Sequence, residues 1–302
     1  MATSAPSSVE AAAFKEKQRV LWGASASSYA ANIQDGSAVM MPVIKELVST
    51  VVVLLGQAPP GLAILDVASG SGEPALSLAK AFPDAVITAT DLAPEMVAEG
   101  VRRAADQGLG DRIRWAVADA EDLSSFATSS LDLVTCNCSL WLMPHYDRAL
   151  DEFHRVLKPA GLLVATTWST KLEETDIAAL MIGTAVAMSS DAALPQNPNR
   201  IADKEQFVNA FSAAGFQDVK SRQFNCPALI AAQHLRGALI DSAVLCDLWT
   251  RLEAEGRNNV KLYAEQALQR VAADQGWLQP DGSVVCPTNI AVLVTAWASG
   301  SK

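Results

Sequence analysis

Apolar residues follow a helical rhythm over residues 9–57 and a strand rhythm from Gly61 onward. Short β-rich runs then alternate with amphipathic stretches. The predicted strands are 62–68, 85–90, 112–118, 131–137 and 161–168, and the predicted helices are 74–82, 94–107 and 146–157. Strands separated by helices at this spacing predict an α/β fold, in which a parallel sheet has helices on both faces.

The remaining residues lose this rhythm. Residues 171–202 show no clear period, and Pro195 and Pro198 flank a predicted loop. A helix follows, for which Asp203 and Gln206 form a candidate capping pair. Further elements are predicted as a strand at 216–224, a helical region at 228–276 and a last strand at 291–298. The pattern therefore predicts a helical N-terminal segment, an α/β core, a helical insertion and a closing strand.

The composition excludes some classes of partner and indicates a cellular compartment. Among 302 residues, 23 Lys and Arg against 33 Asp and Glu give a net charge of −10. This charge argues against nucleic acid or an anionic membrane surface as the main partner. No apolar run is long enough to span a bilayer, and no signal peptide is apparent. Five cysteines without a CxxC pair indicate reduced thiols rather than a disulfide framework or a metal cluster, so we expect a cytoplasmic protein without a bound metal.

The strongest local signal is the run ILDVASGSGEPALSLA at 64–79. A strand ends near Asp66, a turn follows at Gly70 and Gly72, and a helix then begins. Such a turn lets the backbone approach a ligand at the carboxyl end of a strand. The spacing also matches a dinucleotide fingerprint, but Glu73 within the turn would repel a pyrophosphate. An acidic turn favours a ligand that carries a cationic group.

Polar residues also follow the next three predicted strands. Asp91 ends the second strand, where a carboxylate can accept hydrogen bonds from both hydroxyls of a ribose. The alternative is that it caps the helix at 94–107, and one residue can do both. Asp119 ends the third strand and could accept from an adenine amine, with Ala120 leaving room for the ring. The end of the fourth strand carries Asn137, Cys138, Ser139 and Trp141.

In this order and spacing, the motifs ILDVASGSGEPALSLA, TATDLAPEMV, ADAEDL, LDLVTCNCSLWLMP and FHRVLKPAGLLVATTW resemble those of class I S-adenosylmethionine-dependent methyltransferases. They are most similar to the branch that includes the ubiquinone/menaquinone-type C-methyltransferases. The resemblance covers roughly residues 60–170. It implies a Rossmann-like sheet of seven mostly parallel strands, with the final strand antiparallel and with helical cap and lid segments.

The resemblance also implies a division into three segments. Residues 1–60 would form an N-terminal helical lid, and residues 61–170 an α/β core that binds S-adenosylmethionine. Residues 171–302 would supply the helical insertions of the substrate cap and the last two strands of the sheet. We therefore expect the partner to be a small-molecule substrate. We expect neither a nucleic-acid partner nor a membrane span. The oligomeric state is not determined, and a homodimer stays open.

The candidate site residues follow from these motifs. Glycines of the turn would contact the methionine tail, Asp91 the ribose, and Asp119 with Ala120 the adenine. The full set of candidate cofactor contacts is Asp66, Ala68, Ser69, Gly70, Gly72, Asp91, Leu92, Met96, Asp119, Ala120, Asn137, Cys138 and Ser139. Candidate substrate contacts are Trp22, Trp141, Trp168 and Trp249. Candidate catalytic groups, as proton acceptors or orienting residues, are His145, His234 and Tyr29.

The reaction implied is transfer of a methyl group to an oxygen, nitrogen or carbon nucleophile of a small molecule by in-line displacement. Two alternatives stay open: an NAD-type oxidoreductase on a Rossmann core, and a catalytically silent binding protein. A thiol-dependent arsenic methyltransferase is a third. It rests on Cys136 and Cys138, which are two residues apart and are expected on the same face of a strand, and on Cys226.

Overall fold

The computed structural model describes residues 6–34, 39–169, 171–189 and 203–299. The first half contains α1 (Ser8–Gln34), α2 (Met41–Leu55), β1 (Ala63–Val67), α3 (Ala75–Ala81), β2 (Val86–Asp91), α4 (Pro94–Asp106), β3 (Ile113–Val117), β4 (Leu131–Cys136), α5 (Tyr146–Val156) and β5 (Leu157–Trp168). The second half contains α6 (Asp176–Met188), α7 (Lys204–Ala213), β6 (Phe216–Asn225), β7 (Ala228–Ile230), a π-helix (Arg236–Ile240), α8 (Ala243–Ala254), α9 (Val260–Asp274), β8 (Val284–Cys286) and β9 (Ile290–Ala298).

The main sheet has seven strands in the order β3-β2-β1-β4-β5-β9-β6. Strands β1 to β5 pair in parallel, and β9 lies antiparallel between β5 and β6. The predicted mostly parallel sheet with an antiparallel last strand is therefore confirmed. The chain winds outward from β1 in two directions, so a crevice forms at the carboxyl ends of β1 and β4.

Alternate residues of β1 face opposite sides of the sheet, as a strand requires. Ile64 packs with Leu76 and Leu78 of α3 and with Leu47 of α2 on one side. On the other side, Leu65 and Val67 join the cluster that contains Phe153 of α5 and Phe207 and Phe211 of α7. Because both faces are covered by helices, the strand is apolar along its whole length apart from Asp66.

Two helices form as their patterns predict. On α5, Ala149, Phe153 and Val156 are buried on one stripe. At the start of α7, the Asp203 side chain accepts a hydrogen bond from the Gln206 backbone N–H at 2.8 Å, which satisfies one orphan donor of the first turn.

A second, helical body covers the carboxyl edge of the sheet. Its buried cluster combines α6, the π-helix, α8, α9 and the antiparallel pair of strands β7 and β8 around Trp249. The prediction of an entirely helical 228–276 is wrong at its start, because Ala228–Ile230 pairs with Val284–Cys286 as a strand. Helix α6 was not predicted either, since Asp176–Met188 is apolar on nearly all sides and shows no amphipathic period. Pro195 and Pro198 lie outside the described residues.

Candidate active site

A cavity of about 270 Å³ lies at the carboxyl ends of β1 to β4, between the sheet and the helical body. The turn after β1 and the residues that follow β2, β3 and β4 form its floor. Helix α1 runs along its side, and α6 and the π-helix contribute the opposite wall. The cavity therefore occupies the crevice where open α/β sheets bind ligands.

The turn after β1 depends on its glycines. Gly70 has φ +54° and Gly72 has φ +113°, backbone conformations that residues with a side chain rarely adopt. A Cβ atom on Gly72 would lie 3.0 Å from Leu76 and 3.1 Å from Trp115, whereas one on Gly70 would lie 3.3 Å from the ring of Tyr29. Gly70 therefore faces the cavity, and Gly72 is packed against the core behind it.

Asp91 joins this turn to the tip of β2. Its Oδ2 atom accepts from the Gly70 N–H at 2.9 Å, and its Oδ1 atom accepts from the Ala93 N–H at 2.9 Å. Burial raises the pKa of the carboxyl against the lowering effect of these hydrogen bonds. Each carboxylate oxygen keeps a further lone pair, so the group can accept two more hydrogen bonds from a ligand in the cavity.

Asp119 lines the cavity in an ion cluster that the sequence did not reveal. The Lys15 Nζ atom of α1 lies 2.7 Å from Asp119 Oδ2 and 2.5 Å from Glu121 Oε2. Burial lowers the pKa of Lys15, but the two carboxylates outweigh it, and the pKa is raised. Lys15 and Asp119 are 104 residues apart, so no local pattern pairs them.

The charge of Glu73, which was expected to repel a pyrophosphate, is paired with an arginine. Its Oε1 atom lies 3.6 Å from Nη2 of Arg103, a side chain only 4% exposed. Arg103 also donates through Nη1 to the Ser71 carbonyl at 2.7 Å. This buried arginine of α4 was not predicted from the sequence. It neutralises the charge of Glu73 and holds the backbone of the turn at Ser71.

Asp66 lies beneath the turn rather than in the cavity lining. Its Oδ2 atom accepts from the Ala75 N–H at 3.1 Å and its Oδ1 atom from the Thr135 hydroxyl at 2.6 Å. Burial raises the pKa of this carboxyl to about 8. In this position Asp66 holds the start of α3 and the neighbouring strand β4 in place.

The end of β4 is fixed by Thr166 of β5. The Thr166 hydroxyl donates to Asn137 Oδ1 at 2.7 Å and accepts from the Cys138 N–H at 3.0 Å. Burial raises the pKa of the Cys138 thiol to about 12, so it is protonated at neutral pH. Cys138 has φ +50° beyond the end of β4 and packs with Cys226. Cys136 lies in the cluster under the sheet, so the expectation that Cys136 and Cys138 share a face is wrong.

Most of the predicted site residues converge on the cavity. Its lining contains Trp22, Tyr29, Ala68, Ser69, Gly70, Asp91, Leu92, Met96, Asp119, Ala120, Asn137, Cys138, Ser139, Trp141 and Trp168. Burial raises the pKa of Tyr29, which keeps the phenol neutral at physiological pH. Apolar residues that were not predicted, including Met40, Ile177 and Met181, complete the wall near Trp168.

Five predicted residues lie outside this lining, which includes neither Asp66, Gly72, His145, His234 nor Trp249. The Trp249 side chain is buried in the helical body, where its Nε1–H donates to the Ile240 carbonyl at 2.7 Å. His145 is 7% exposed at the start of α5, and its backbone N–H donates to Glu121 at 2.8 Å. His234 ends a short 3₁₀ turn, Ala232–His234.

No group of three or more His, Cys, Asp or Glu side chains comes close enough to hold a metal ion within the described residues. None of the helices that the structure describes is both long and apolar enough to cross a bilayer.

The sheet order, the glycine turn and the acid at the tip of β2 define a class I S-adenosylmethionine-dependent methyltransferase. Residues 64–161 match a family model described as a methyltransferase domain. The ubiquinone/menaquinone biosynthesis C-methyltransferase UbiE of Cereibacter sphaeroides (strain ATCC 17029 / ATH 2.4.9) is 32% identical in an alignment 187 positions long, which covers 58% of this chain and 73% of that protein. The chain belongs to the S-adenosylmethionine-dependent methyltransferase family, in the branch that includes these C-methyltransferases.

Solved structures share the fold at low identity. The YcgJ protein of Bacillus subtilis superposes with a TM-score of 0.57 at 16% identity, covering 85% of this chain and 100% of its own. A phosphoethanolamine N-methyltransferase of Haemonchus contortus, in complex with phosphomonomethylethanolamine and S-adenosylhomocysteine, gives a TM-score of 0.51 at 16% identity, covering 85% of this chain and 53% of its own. These structures share only the fold, whereas the family model and the UbiE relative make the chain a small-molecule methyltransferase that uses S-adenosylmethionine.

Proposed function

We propose that the cavity binds S-adenosylmethionine along its floor and an apolar acceptor under the helical body. Gly70 would lie against the methionine tail, and Asp91 would accept hydrogen bonds from the ribose hydroxyls. Leu92 and Met96 would contact the nucleoside, and Asp119 with Ala120 would frame the adenine. The observation that carries this proposal is the 2.9 Å hydrogen bond from the Gly70 N–H to Asp91 Oδ2, which unites the turn and the acid at one point of the cavity.

The donor set fits the cofactor. The acids at Asp91 and Asp119 offer acceptors for hydroxyl and amine groups, and the apolar side chains of Leu92 and Met96 belong to the same lining. When bound, the cofactor supplies an activated methyl group on a sulfonium. The chain contributes alignment of the acceptor and exclusion of water, which can lower a barrier by roughly 7–11 kcal/mol.

The acceptor side favours an apolar molecule. Trp141, Trp168, Ile177 and Met181 line it, and the relatives named above are C-methyltransferases. Neither His145 nor His234 contributes to the lining, and Tyr29 is held neutral. These observations favour an acceptor whose carbon is already nucleophilic when it binds, as in a phenolate or an enolate, and which releases the proton of that carbon to solvent after the methyl group is transferred.

The three-segment division belongs to this proposal, with residues 1–60 as the lid, 61–170 as the cofactor-binding core and 171–302 as the cap. Helix α1 supports this division, because the helix contacts both the core and the helical body.

We also propose a cytoplasmic location, because all five cysteines are free thiols. We further propose that nucleic acid is not a partner, because the net charge of the protein is −10.

Calorimetric titration with S-adenosylhomocysteine tests the cofactor site. We expect Asp91→Ala to weaken binding by at least about tenfold, since it removes the carboxylate that accepts from the ribose hydroxyls. Asp111→Ala, at an exposed acid, serves as the matched control and should bind as the wild type does. Equal affinity of Asp91→Ala and wild type would refute the assignment of Asp91.

Transfer of label from methyl-labelled S-adenosylmethionine to a panel of apolar acceptors tests the reaction. Cofactor binding without any transfer would favour a catalytically silent binding protein.

A further inference from the structure

Asn32 of α1 is a buried polar residue on the wall of the cavity. It is 7% exposed and belongs to the lining. Its side-chain carboxamide has no hydrogen-bond partner in the part of the chain that the structure describes. Its polar atoms are not among the fully buried ones, so they stay accessible from the cavity, and a ligand that displaces water there must replace the hydrogen bonds of that water.

Neighbouring polar side chains on this wall are already engaged. The hydroxyls of Ser25 and Ser28 bond to carbonyls within α1, at 2.9 and 3.0 Å. The Ser242 hydroxyl donates to the Leu239 carbonyl at 2.7 Å, and Asp241 pairs with Lys261 at 2.7 Å. The three serine donors are used and Asp241 carries no donor, so among these side chains the Asn32 carboxamide alone keeps a free N–H donor.

The position of Asn32 points to the acceptor rather than the cofactor. It lies one helical turn beyond Tyr29, whose ring contacts the Gly70 side of the cavity. On its other side it faces Gly237 of the π-helix, where a Cβ atom would lie 3.2 Å from Asn32 Nδ2. Glycine at 237 leaves room for the carboxamide, and short π-helices often mark functional sites.

The surroundings define the chemistry of the group that Asn32 would meet. Ile33, Met40, Ile177 and Met181 line the same cavity, so the body of the ligand is apolar. A carboxamide offers both a donor and an acceptor but no charge. It suits a hydroxyl or carbonyl oxygen rather than an ionised group.

We propose that Asn32 determines acceptor specificity by hydrogen bonding to a hydroxyl or carbonyl oxygen on an otherwise apolar acceptor. This inference rests on the proposed function. A site with one buried amide discriminates against an analogue without the oxygen, because that analogue would leave the amide unpaired.

The test uses two probes of nearly equal shape, 1-naphthol and 1-methylnaphthalene, titrated into protein saturated with S-adenosylhomocysteine. The oxygen of 1-naphthol both donates and accepts, so it represents either kind of acceptor oxygen. We expect the wild type to bind 1-naphthol about tenfold more tightly than 1-methylnaphthalene. Asn32→Leu, which keeps the size of the side chain, should reduce this ratio to about one while still binding 1-methylnaphthalene.

Asn209→Leu provides the matched control, since Asn209 lies exposed on α7 and should keep the wild-type ratio. Affinity for S-adenosylhomocysteine is measured first in every variant and should be unchanged in Asn32→Leu. If S-adenosylhomocysteine fails to bind the wild type, the proposed function itself fails. If it binds but the probe ratio is near one in the wild type, is unchanged in Asn32→Leu, or cannot be obtained because neither probe binds, only the role of Asn32 is overturned.

Discussion

Burial assigns different tasks to the acids at the ends of the strands. Asp91 lies on the cavity wall and keeps lone pairs for a ligand, although both its oxygens already accept backbone N–H groups. Asp66 lies wholly buried beneath the turn, and its pKa is raised to about 8. The two acids therefore differ in how the stability of the protein depends on them.

The raised pKa of Asp66 predicts a loss of stability with rising pH. Below the unfolded pKa of about 3.9 both states are protonated, and between about 4 and 8 only the folded state holds the proton. The contribution of Asp66 to the free energy of unfolding is therefore full below about 4 and falls as pH rises to about 8. The slope is at most about 1.4 kcal/mol per pH unit.

Urea denaturation of wild type and Asp66→Asn from pH 4.5 to 8 measures this contribution. Asparagine keeps an acceptor for the Ala75 N–H and cannot ionise. We expect the stability of Asp66→Asn relative to wild type to increase steadily across this range. A difference that stays constant with pH would show that Asp66 is ionised throughout.

Several site residues could be predicted individually and others could not. Gly70 and Asp91 stand in short motifs whose spacing and strand context identify them. Lys15 and Arg103 belong to no such motif, because each acts through a contact that only the folded chain creates. Asn32 lies in a helix whose sequence gives no sign that one carboxamide stays unpaired.

Helix α1 joins the two bodies of the molecule. Lys15 contacts Asp119 and Glu121 of the core, and Ser27 donates to Glu99 of α4 at 2.7 Å. Lys17 reaches Asp247 of α8 at 2.9 Å. The Lys15 cluster is the more buried of the two lysine contacts, because the side chain of Glu121 is only 3% exposed.

Hydrogen exchange measures how strongly Lys15 holds this helix. Lys15→Met leaves a buried carboxylate without its cation, so we expect amide exchange over residues 8–20 to increase at least about fivefold. Lys17→Met removes a more exposed ion pair and should change exchange less than about twofold. Equal exchange in the two variants would contradict a holding role for Lys15.

Elements with a strong period were predicted and those without one were missed. Helix α5 shows an apolar stripe at i, i+4 and i+7 and forms as expected. Helix α6 is apolar on most sides because it packs in the helical body, and β7 has only three residues. In both cases, contacts with distant segments decide the structure.

For the molecule as a whole, the alternation of strands and helices predicted the sheet, since each parallel pair requires a crossover. The helical body could not be derived in the same way. Its core brings together Ile177, Ala228, Trp249 and Val284, which are far apart in the chain. The sequence therefore predicted the floor of the cavity far better than the helical body that covers it.

A crystal structure of the protein with S-adenosylhomocysteine tests the central claim most directly. We expect both ribose hydroxyls within hydrogen-bond distance of the Asp91 carboxylate, about 2.7 Å, and the homocysteine tail against Gly70. Ligand density in another part of the molecule, or a ribose without contact to Asp91, would contradict the account.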